Sequence, residues 1–278
     1  MQHDPTIIQV AYPGREGAHS AAACEVLAPV GAEPLALPSF QAVATAVGER
    51  EVAFGVLPIE SSLAGPVAET HDLLYDSPLS IVGQAVLPIR HLLVGPALVP
   101  LEEIRIVHSH PVALDQCRRL LAAMPWASAV AAPTTADAAS LVAEHGDPSE
   151  AAIASERAAT TYGLATLRAD VGDHPEAFTR FALLATYTRL DRDGADFRTA
   201  FSFVTDHQPG ALSRAIEPFG RHGIDLVQLV SRPIPHSPFR YRFDAVFGGH
   251  PLDPIIREAL TEMRRSTLRL QVFGSYPA

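Results

Sequence analysis

Charged side chains are scarce in this chain of 278 residues, and long apolar runs are missing from it. Asp, Glu, Lys and Arg make up 19% of the sequence, and their formal net charge is -10. An acidic protein has no general attraction for nucleic acids or anionic membranes, so an anionic ligand would need a few well-placed cationic side chains. These features argue against a nucleic-acid-binding or membrane-surface protein.

Cysteine is also rare. Cys24 and Cys117 lie far apart and lack the spacing of a metal site, which predicts reduced, buried thiols rather than a disulfide framework. No apolar run approaches the roughly 18 residues of a membrane span, and the first residues lack a basic region followed by an apolar one. We therefore expect a cytoplasmic location.

The sequence does contain 47% hydrophobic residues, enough for one large core or, more in keeping with the length, two separate ones. Up to about residue 186, short apolar runs alternate with helical periods, which indicates layered α/β structure. The predicted strands are 6–12, 51–59, 79–87, 104–109, 150–155 and 180–187, and the predicted helices are 109–124, 134–146 and 155–164.

A charged segment without apolar periodicity predicts a linker over 189–197, between domains at 1–188 and 198–278. The second domain has strands predicted at 198–205, 225–232, 239–247 and 267–273, and helices at 210–222 and 252–264. This βαββαβ order is typical of a ferredoxin-like layer.

Two strand–turn–helix junctions are candidate anion sites, because ligands collect where strands end and helices begin. One junction, 55–74, contains Ser61, Ser62 and Gly65, and the other, 11–27, contains Arg15 and Ser20. Spacing alone favours a simpler interpretation, in which the serines cap helices and Gly65 forms a turn. The second junction lacks the glycine spacing of a nucleotide-binding loop.

Two further stretches carry reactive side chains. His108 and His110 form an H-x-H pair, but no supporting cysteine or carboxylate is spaced to complete a metal site, so a helix start is the favoured interpretation. In "HPEAFTRFALL" (174–184), Thr179 and Arg180 precede an apolar run. A guanidinium there suits a carboxylate and a hydroxyl suits proton donation, although an arginine at an exposed strand end is equally consistent with the spacing.

Taken in order, these segments resemble prephenate dehydratases, including the related plant arogenate dehydratases. The resemblance covers nearly the whole chain and ends in a region similar to ACT regulatory domains. It rests on Gly14–Ser20, Pro58–Val67, Leu87–Ile89 with His91, Ser109–Cys117, Ala152–Ser155, Tyr162–Leu164 and Ala177–Phe181, and then on Pro209–Leu212, Ser231–Pro233 and Gly274–Pro277.

The resemblance implies an α/β catalytic domain with two subdomains of the periplasmic-binding-protein type (type II), followed by a ferredoxin-like ACT domain. It implies a lyase that converts prephenate to phenylpyruvate, water and CO2 in phenylalanine biosynthesis without a cofactor or metal. Self-association to dimers or tetramers is also implied, with phenylalanine as an allosteric effector bound between regulatory domains.

The resemblance also assigns roles to residues. Thr179 is expected to be the catalytic proton donor and Arg180 to bind a substrate carboxylate. The remaining expected substrate contacts are Glu60, Ser61, Ser62, Gly65, Ser20, Ser155 and Phe181. The expected phenylalanine contacts are Gly210, Ala211, Leu212, Ser231, Arg232 and Pro233.

Several positions depart from the family pattern. Ser61 and Ala177 each replace an asparagine, Ala18-His19 replaces a Thr-Phe pair, and Val230 replaces a glutamate before Ser-Arg-Pro. Three alternatives therefore stay open: arogenate dehydratase, a prephenate decarboxylase that does not aromatise the ring, and a non-catalytic small-molecule sensor. Retention of Thr179, Arg180 and Glu60 favours the dehydratase.

Overall fold

The structure is a computed structural model that describes residues 8–189, 196–234 and 237–278. Most of the predicted linker, residues 190–195, lies outside the described residues, as do residues 6 and 7 of the first predicted strand. Within the described ranges, no helix is both long enough and apolar enough to cross a membrane.

Strands and helices alternate along the chain, as the hydrophobic pattern predicts. The strands are β1 (Gln9–Pro13), β2 (Glu33–Leu37), β3 (Phe54–Ser61), β4 (Gly65–Pro66), β5 (Ser80–Pro88), β6 (Leu92–Gly95), β7 (Ile106–Ser109), β8 (Ser128–Ala131), β9 (Glu150–Ala154), β10 (Ala165–Arg168), β11 (Phe178–Ala185), β12 (Phe197–Val204), β13 (Leu226–Pro233), β14 (Tyr241–Gly248) and β15 (Arg269–Pro277). The helices are α1 (His19–Leu27), α2 (Phe40–Gly48), α3 (Ala68–Asp76), α4 (Pro111–Asp115), α5 (Arg118–Ala122), α6 (Thr135–His145), α7 (Glu156–Thr161), α8 (Ala211–Arg221) and α9 (Pro254–Arg265), with a 3-10 turn at Leu101–Glu103.

The strands form three sheets. Sheet A has the order β2-β1-β3-β11-β5, with β4 paired to β3, and sheet B has the order β10-β6-β9-β7-β8. The chain leaves sheet A after β5, builds all of sheet B, and returns to sheet A through β11. The two crossing segments are tied together, because Ile89 donates a backbone hydrogen bond to Ala177 and Val171 donates one to His91. This double crossing creates two α/β units with a cleft between them.

Sheet C contains the last four strands in the order β13-β14-β12-β15. With α8 and α9 it follows the predicted βαββαβ arrangement. Its aromatic core stacks Phe201 on Phe203 and Phe219, with ring centroids 5.8 and 5.6 Å apart. The second apolar cluster of this sheet joins sheet A, because Phe273 and Tyr276 pack with Leu74 and Ile81.

The predicted helix 109–124 is wrong as a single helix, because it divides into α4 and α5 around Cys117. The carbonyl of Gln116 accepts a hydrogen bond from the backbone N–H of Asp173, and the Asp173 carboxylate accepts one from the backbone N–H of Arg119. These long-range bonds take the place of helical ones. Helix α6, by contrast, starts at a Thr134 cap and ends at Gly146 in a left-handed conformation, as its sequence predicts.

Candidate active site

A cleft of about 790 Å³ lies between the two α/β units. Sheet A contributes the ends of β1, β2 and β3 and the start of β11, while sheet B contributes the segments that follow β7 and β8. Helices α1, α2, α4 and α6 begin at its wall. Strand ends and helix N-termini leave backbone N–H groups available, so this cleft suits an anionic ligand.

Thr179 lines the cleft near the start of β11, where it is paired with Ser61 on one side and Leu87 on the other. The pairing on both sides holds the backbone of Thr179 in the middle of sheet A. Among the described residues, none forms a hydrogen bond with its hydroxyl. The backbone of Thr179 is therefore fixed, and its hydroxyl is left available to a ligand.

Arg180 does not share the cleft with Thr179. Side chains alternate along a strand, so Arg180 points to the other face of sheet A, where its Nε lies 3.2 Å from Glu60 Oε2 and its Nη1 donates to Gln84 Oε1 at 2.9 Å. Glu60 faces the same way and accepts a hydrogen bond from Gln228 of sheet C at 2.9 Å. The expectation that Arg180 and Glu60 contact substrate in this cleft does not fit the geometry.

The Ser61–Gly65 turn connects β3 to β4. Ser61 Oγ accepts hydrogen bonds from the backbone N–H groups of Leu63 and Ala64 at 3.3 and 3.2 Å, and Ser61 lines the cleft. Ser62 Oγ accepts the N–H of Phe178 at 2.9 Å and ties the turn to β11. Gly65 has φ of 78°, a conformation that favours glycine. Neither serine caps α3, so the capping interpretation is wrong and their role is to shape the turn beside Thr179.

The other three expected substrate residues have different positions. Ser20 lies in the first turn of α1 and lines the cleft. Phe181 is buried in the core of sheet A and also forms part of the cleft lining. Ser155 caps α7 and donates to the carbonyl of Gly17 at 2.9 Å. Ser155 thus joins sheet B to the loop after β1 and is not among the residues that line the cleft.

Arg15 is the arginine that the structure places at the cleft wall. Its Nε lies 2.7 Å from Asp137 Oδ1, and Asp137 in turn accepts a hydrogen bond from Thr134. The side chain of Arg15 is 58% exposed, so it can reach a ligand in the opening. The sequence places Arg15 at the first glycine turn but carries no signal that ranks it above Arg180.

Three histidines also line the cleft. Burial and, to a lesser degree, the neighbouring His91 lower the pKa of His19 to about 4, and the two rings meet edge-on with centroids 6.3 Å apart. Burial lowers the pKa of His91 as well, against a 2.8 Å hydrogen bond to Gln116. Burial also lowers the pKa of His110. These rings are therefore biased towards the neutral form.

His108 and His110 separate in space, which disfavours the metal interpretation. His108 Nε2 lies 3.1 Å from Glu150 Oε2, whereas His110 Nδ1 accepts the N–H of Val112 at the start of α4. The ligand atoms of three other residues, His222 at the end of α8 and Glu258 and Glu262 on α9, lie close enough together to hold a metal ion. Arg221 already bonds Glu262 there, and no described cleft residue belongs to the trio.

The expected phenylalanine contacts divide into two groups. Ala211 and Leu212 line a depression of about 750 Å³ between the start of α8, the residue that follows β13 and the start of β14, and Gly210 precedes them with φ of 77°. Ser231 and Pro233 lie on β13 beside this region. Arg232 points towards sheet A instead, where it donates to Asp72 of α3 at 2.7 Å.

Comparison with known proteins agrees with this architecture. A family model described as "Prephenate dehydratase" matches residues 10–189. This chain belongs to the prephenate dehydratase family. A protein of Arabidopsis thaliana, "Arogenate dehydratase/prephenate dehydratase 2, chloroplastic", is 34% identical over an alignment of 279 residues. The alignment covers 97% of this chain and 73% of that protein.

Two further relatives resemble nearly the full chain. A Komagataeibacter europaeus protein, "Bifunctional N-acyl-homoserine lactone acylase/prephenate dehydratase", is 33% identical over 97% of this chain and 95% of its own length. The crystal structure of a prephenate dehydratase from Arthrobacter aurescens in complex with L-Phe has a TM-score of 0.88 and 30% identity, and the match covers 98% of this chain and 90% of that one. The predicted fold class is therefore confirmed, and members of this family are lyases.

Proposed function

We propose that this protein is a prephenate dehydratase that acts on its substrate in the cleft between the two α/β units. The observation that carries the proposal is the hydroxyl of Thr179, which has no hydrogen-bond partner among the described residues. Thr179 is paired with Ser61 and Leu87 in the sheet and faces a cleft that Arg15 and four helix starts make favourable for anions.

The reaction has a clear electronic demand. The bond between the ring carbon and its carboxylate breaks, and the electron pair passes through the ring diene to expel the 4-hydroxyl group. Hydroxide is a poor leaving group, so Thr179 donates a proton to it and water departs with CO2. The alkoxide left on Thr179 then recovers a proton from solvent. A threonine hydroxyl is a weak acid, and aromatisation together with fixed placement of the donor offsets that weakness.

Substrate binding divides between charge and hydrogen bonds. The substrate carries two carboxylates, and Arg15 is the cationic side chain of the cleft that suits one of them. Ser20 and Ser61 supply hydroxyl groups, and Phe181 supplies an apolar wall for the ring. Ser62, Gly65 and Ser155 act on the shape of the site, since their contacts are with backbone groups of its rim.

Regulation by phenylalanine and self-association belong to the same proposal. The related A. aurescens structure contains L-Phe. In this chain, Ala211 and Leu212 line a depression near the end of β13, and Gly210 precedes them in sequence. Among the described strands, β13 is an edge strand of sheet C with a partner on one side. A second copy that pairs through this edge would cover the depression.

The proposal also includes two domains, at 1–188 and 198–278, and a cytoplasmic location.

The deciding experiment is a product assay. Purified protein is mixed with prephenate, and phenylpyruvate is followed in alkali by its ultraviolet absorbance. Formation of phenylpyruvate supports the dehydratase. A non-aromatic keto acid would indicate the decarboxylase, phenylalanine formed from arogenate would indicate the arogenate enzyme, and thermal stabilisation by prephenate without turnover would indicate a sensor. Inhibition by added phenylalanine is measured in the same assay.

A further inference from the structure

Four side chains form a continuous hydrogen-bonded series between sheet C and sheet A: Gln228, Glu60, Arg180 and Gln84. Gln228 Nε2, on β13, donates to Glu60 Oε1 at 2.9 Å. Arg180 Nε donates to the other carboxylate oxygen, Glu60 Oε2, at 3.2 Å, and Arg180 Nη1 donates to Gln84 Oε1 at 2.9 Å. Each oxygen of Glu60 thus has a donor, one from each sheet. Glu60 is therefore one of the links between the two sheets.

The strand register connects this hydrogen-bonded series of side chains to the cleft. Arg180 is paired with Glu60, and the next pair along the same two strands is Thr179 with Ser61. Because side chains alternate, one pair points to sheet C and the adjacent pair points into the cleft. The register of β3 and β11 shifts between Arg180 and Phe181, so the regular ladder is interrupted beside these residues. A displacement of the Arg180–Glu60 pair therefore reaches Thr179 through one peptide unit.

The surroundings of Gln228, Glu60 and Arg180 affect the strength of their hydrogen bonds and the space available to their side chains. Glu60, Arg180 and Gln228 line a cavity of about 160 Å³ between the sheets, together with Arg198 and Tyr276. Burial raises the pKa of the Tyr276 hydroxyl to about 12, which marks this region as poorly solvated. The bonds of Glu60 involve a charged group and are stronger than neutral hydrogen bonds, and water still reaches part of the pair, since the side chains of Arg180 and Glu60 are 27% and 33% exposed. The cavity leaves space for these side chains to rearrange when β13 moves.

We propose that Gln228, Glu60 and Arg180 position Thr179 and couple it to the regulatory sheet. Arg180 acts in this scheme as a positioning residue and not as a ligand of the substrate. Gln228 lies on the same strand as Ser231 and Pro233, so an effector that shifts β13 changes the bond to Glu60. A misplacement of about 1 Å at a reacting group can lower turnover by about 100-fold, so small shifts are sufficient. The inference rests on the proposed function.

Exchange of the amide of Gln228 and the carboxylate of Glu60 tests this hydrogen-bonded series directly. Gln228→Glu places a second carboxylate against Glu60, and the double variant Gln228→Glu with Glu60→Gln restores a donor and an acceptor in reversed order. Gln271→Leu is the matched control, since Gln271 also crosses from sheet C to sheet A but bonds the carbonyl of Leu74, on α3. For each variant, kcat, KM, the phenylalanine response and the midpoint of thermal unfolding are measured.

We expect Gln228→Glu to lower kcat by about 10-fold or more, with KM within about twofold of the wild type, because positioning affects the reacting geometry more than ground-state binding. The double variant should recover most of the lost kcat and the phenylalanine response. Gln271→Leu should keep the wild-type kcat and response. Equal kcat and equal phenylalanine response in wild type and Gln228→Glu would overturn the inference, as would a loss of kcat that simply follows the unfolding midpoint.

Amide hydrogen exchange separates this inference from the proposed function. Peptides that cover β3 and β11 should exchange faster in Gln228→Glu than in wild type or Gln271→Leu, and the double variant should restore their protection. If the wild type does not turn over prephenate, the proposed function fails, and exchange alone decides the coupling. Unchanged exchange in both strands would then reject it.

Discussion

At the scale of single residues, the described lining of the cleft combines the Thr179 hydroxyl, other serine and threonine hydroxyls, Arg15, and three histidines that are biased towards the neutral form. The backbone of Thr179 is held by β3 and β5, and among the described residues no side chain bonds its hydroxyl. Arg15 and His19 lie on the loop and helix start that follow β1. Their roles can be separated because the first is charged and the second is biased towards its neutral form.

Replacement of Thr179 by alanine should lower kcat by about 100-fold to 10,000-fold, the range typical of loss of a general acid. KM should change little, since the backbone and Cβ remain in place and the proton is donated only in the transition state. Thr179→Ser keeps a hydroxyl and is the control that should retain much of the activity. Steady-state kinetics with prephenate provide the measurement, and undiminished turnover in Thr179→Ala would remove Thr179 from its role.

Replacement of Arg15 by glutamine should raise KM by about 10-fold to 100-fold, because a charge-assisted hydrogen bond to a carboxylate contributes about 1.5 to 3 kcal/mol. The effect on kcat should be smaller, since the carboxylate contact is present before the reaction. Arg118→Gln, which removes an exposed arginine of α5, is the control. A KM equal to that of the wild type would show that the substrate carboxylates are bound elsewhere.

His19 should make stability depend on pH. The pKa of His19 is about 4 in the folded protein and about 6.5 in an unfolded chain, so the unfolded state binds a proton first as the pH falls. The free energy of unfolding should therefore decrease between pH 6.5 and pH 4, by about 1 to 2 kcal/mol after allowance for partial exposure.

Denaturant unfolding at pH 7 and pH 5 measures this effect. His19→Phe should show a smaller loss of stability at pH 5 than the wild type. His207→Phe, which removes an exposed histidine, controls for the general effect of losing one imidazole. Identical losses in His19→Phe and wild type would contradict the assignment.

At the scale of elements, the loop between β1 and α1 is where the two α/β units touch. Gly17 has φ of 88°, and a Cβ there would lie 2.8 Å from the Cα of Ala158 in α7. Its carbonyl also accepts the hydrogen bond from Ser155. The contact needs glycine for two reasons, the backbone conformation and the close approach of the helix.

Gly17→Ala should therefore destabilise the protein by about 2 kcal/mol or more, since strain and overlap both contribute. Gly31→Ala is a matched control, because Gly31 also has a positive φ, of 82°, but nothing lies within 4 Å of a Cβ at that position. The difference between the two variants in the free energy of unfolding isolates the close contact. Equal destabilisation would show that α7 moves away from the added Cβ without a loss in the free energy of unfolding.

At the scale of the whole molecule, sheet C is joined to the catalytic unit by buried charges as well as by apolar packing. Arg242 is fully buried, donates to Asp72 of α3 at 2.6 Å and to Asp244 at 3.2 Å, and stacks on Tyr75. Burial would raise the pKa of Asp72, but the hydrogen bonds from Arg232 and Arg242 outweigh it and lower that pKa. Asp72 therefore adds stability above its unfolded pKa of about 3.9, and this stability is lost at lower pH.

Arg242→Leu should cost about 3 to 5 kcal/mol, because it leaves the buried carboxylate of Asp244 without its arginine. Arg118→Gln breaks an exposed pair with Asp115 and should change stability by less than about 0.5 kcal/mol. Denaturant unfolding compares the two. Similar small changes in both variants would show that solvent reaches Asp244 when Arg242 is absent.

The sequence by itself determined the α/β alternation, the order of elements in sheet C, the reduced and buried state of both cysteines, and the family. Those features depend on local periodicity, on caps such as Thr134, and on motifs in a fixed order. The tertiary structure alone decided which motif residues share a cleft. It separated Thr179 from Arg180 because neighbours on a strand face opposite sides, it divided the helix at Cys117 through bonds from Asp173, and it brought Arg15 and His91 to one wall. Spacing along the chain cannot show where the helix divides or which residues meet in the cleft, since these outcomes depend on contacts between residues distant in sequence. The opposite faces of Thr179 and Arg180 follow from strand alternation, but the predicted strand began at Arg180 and left Thr179 outside it.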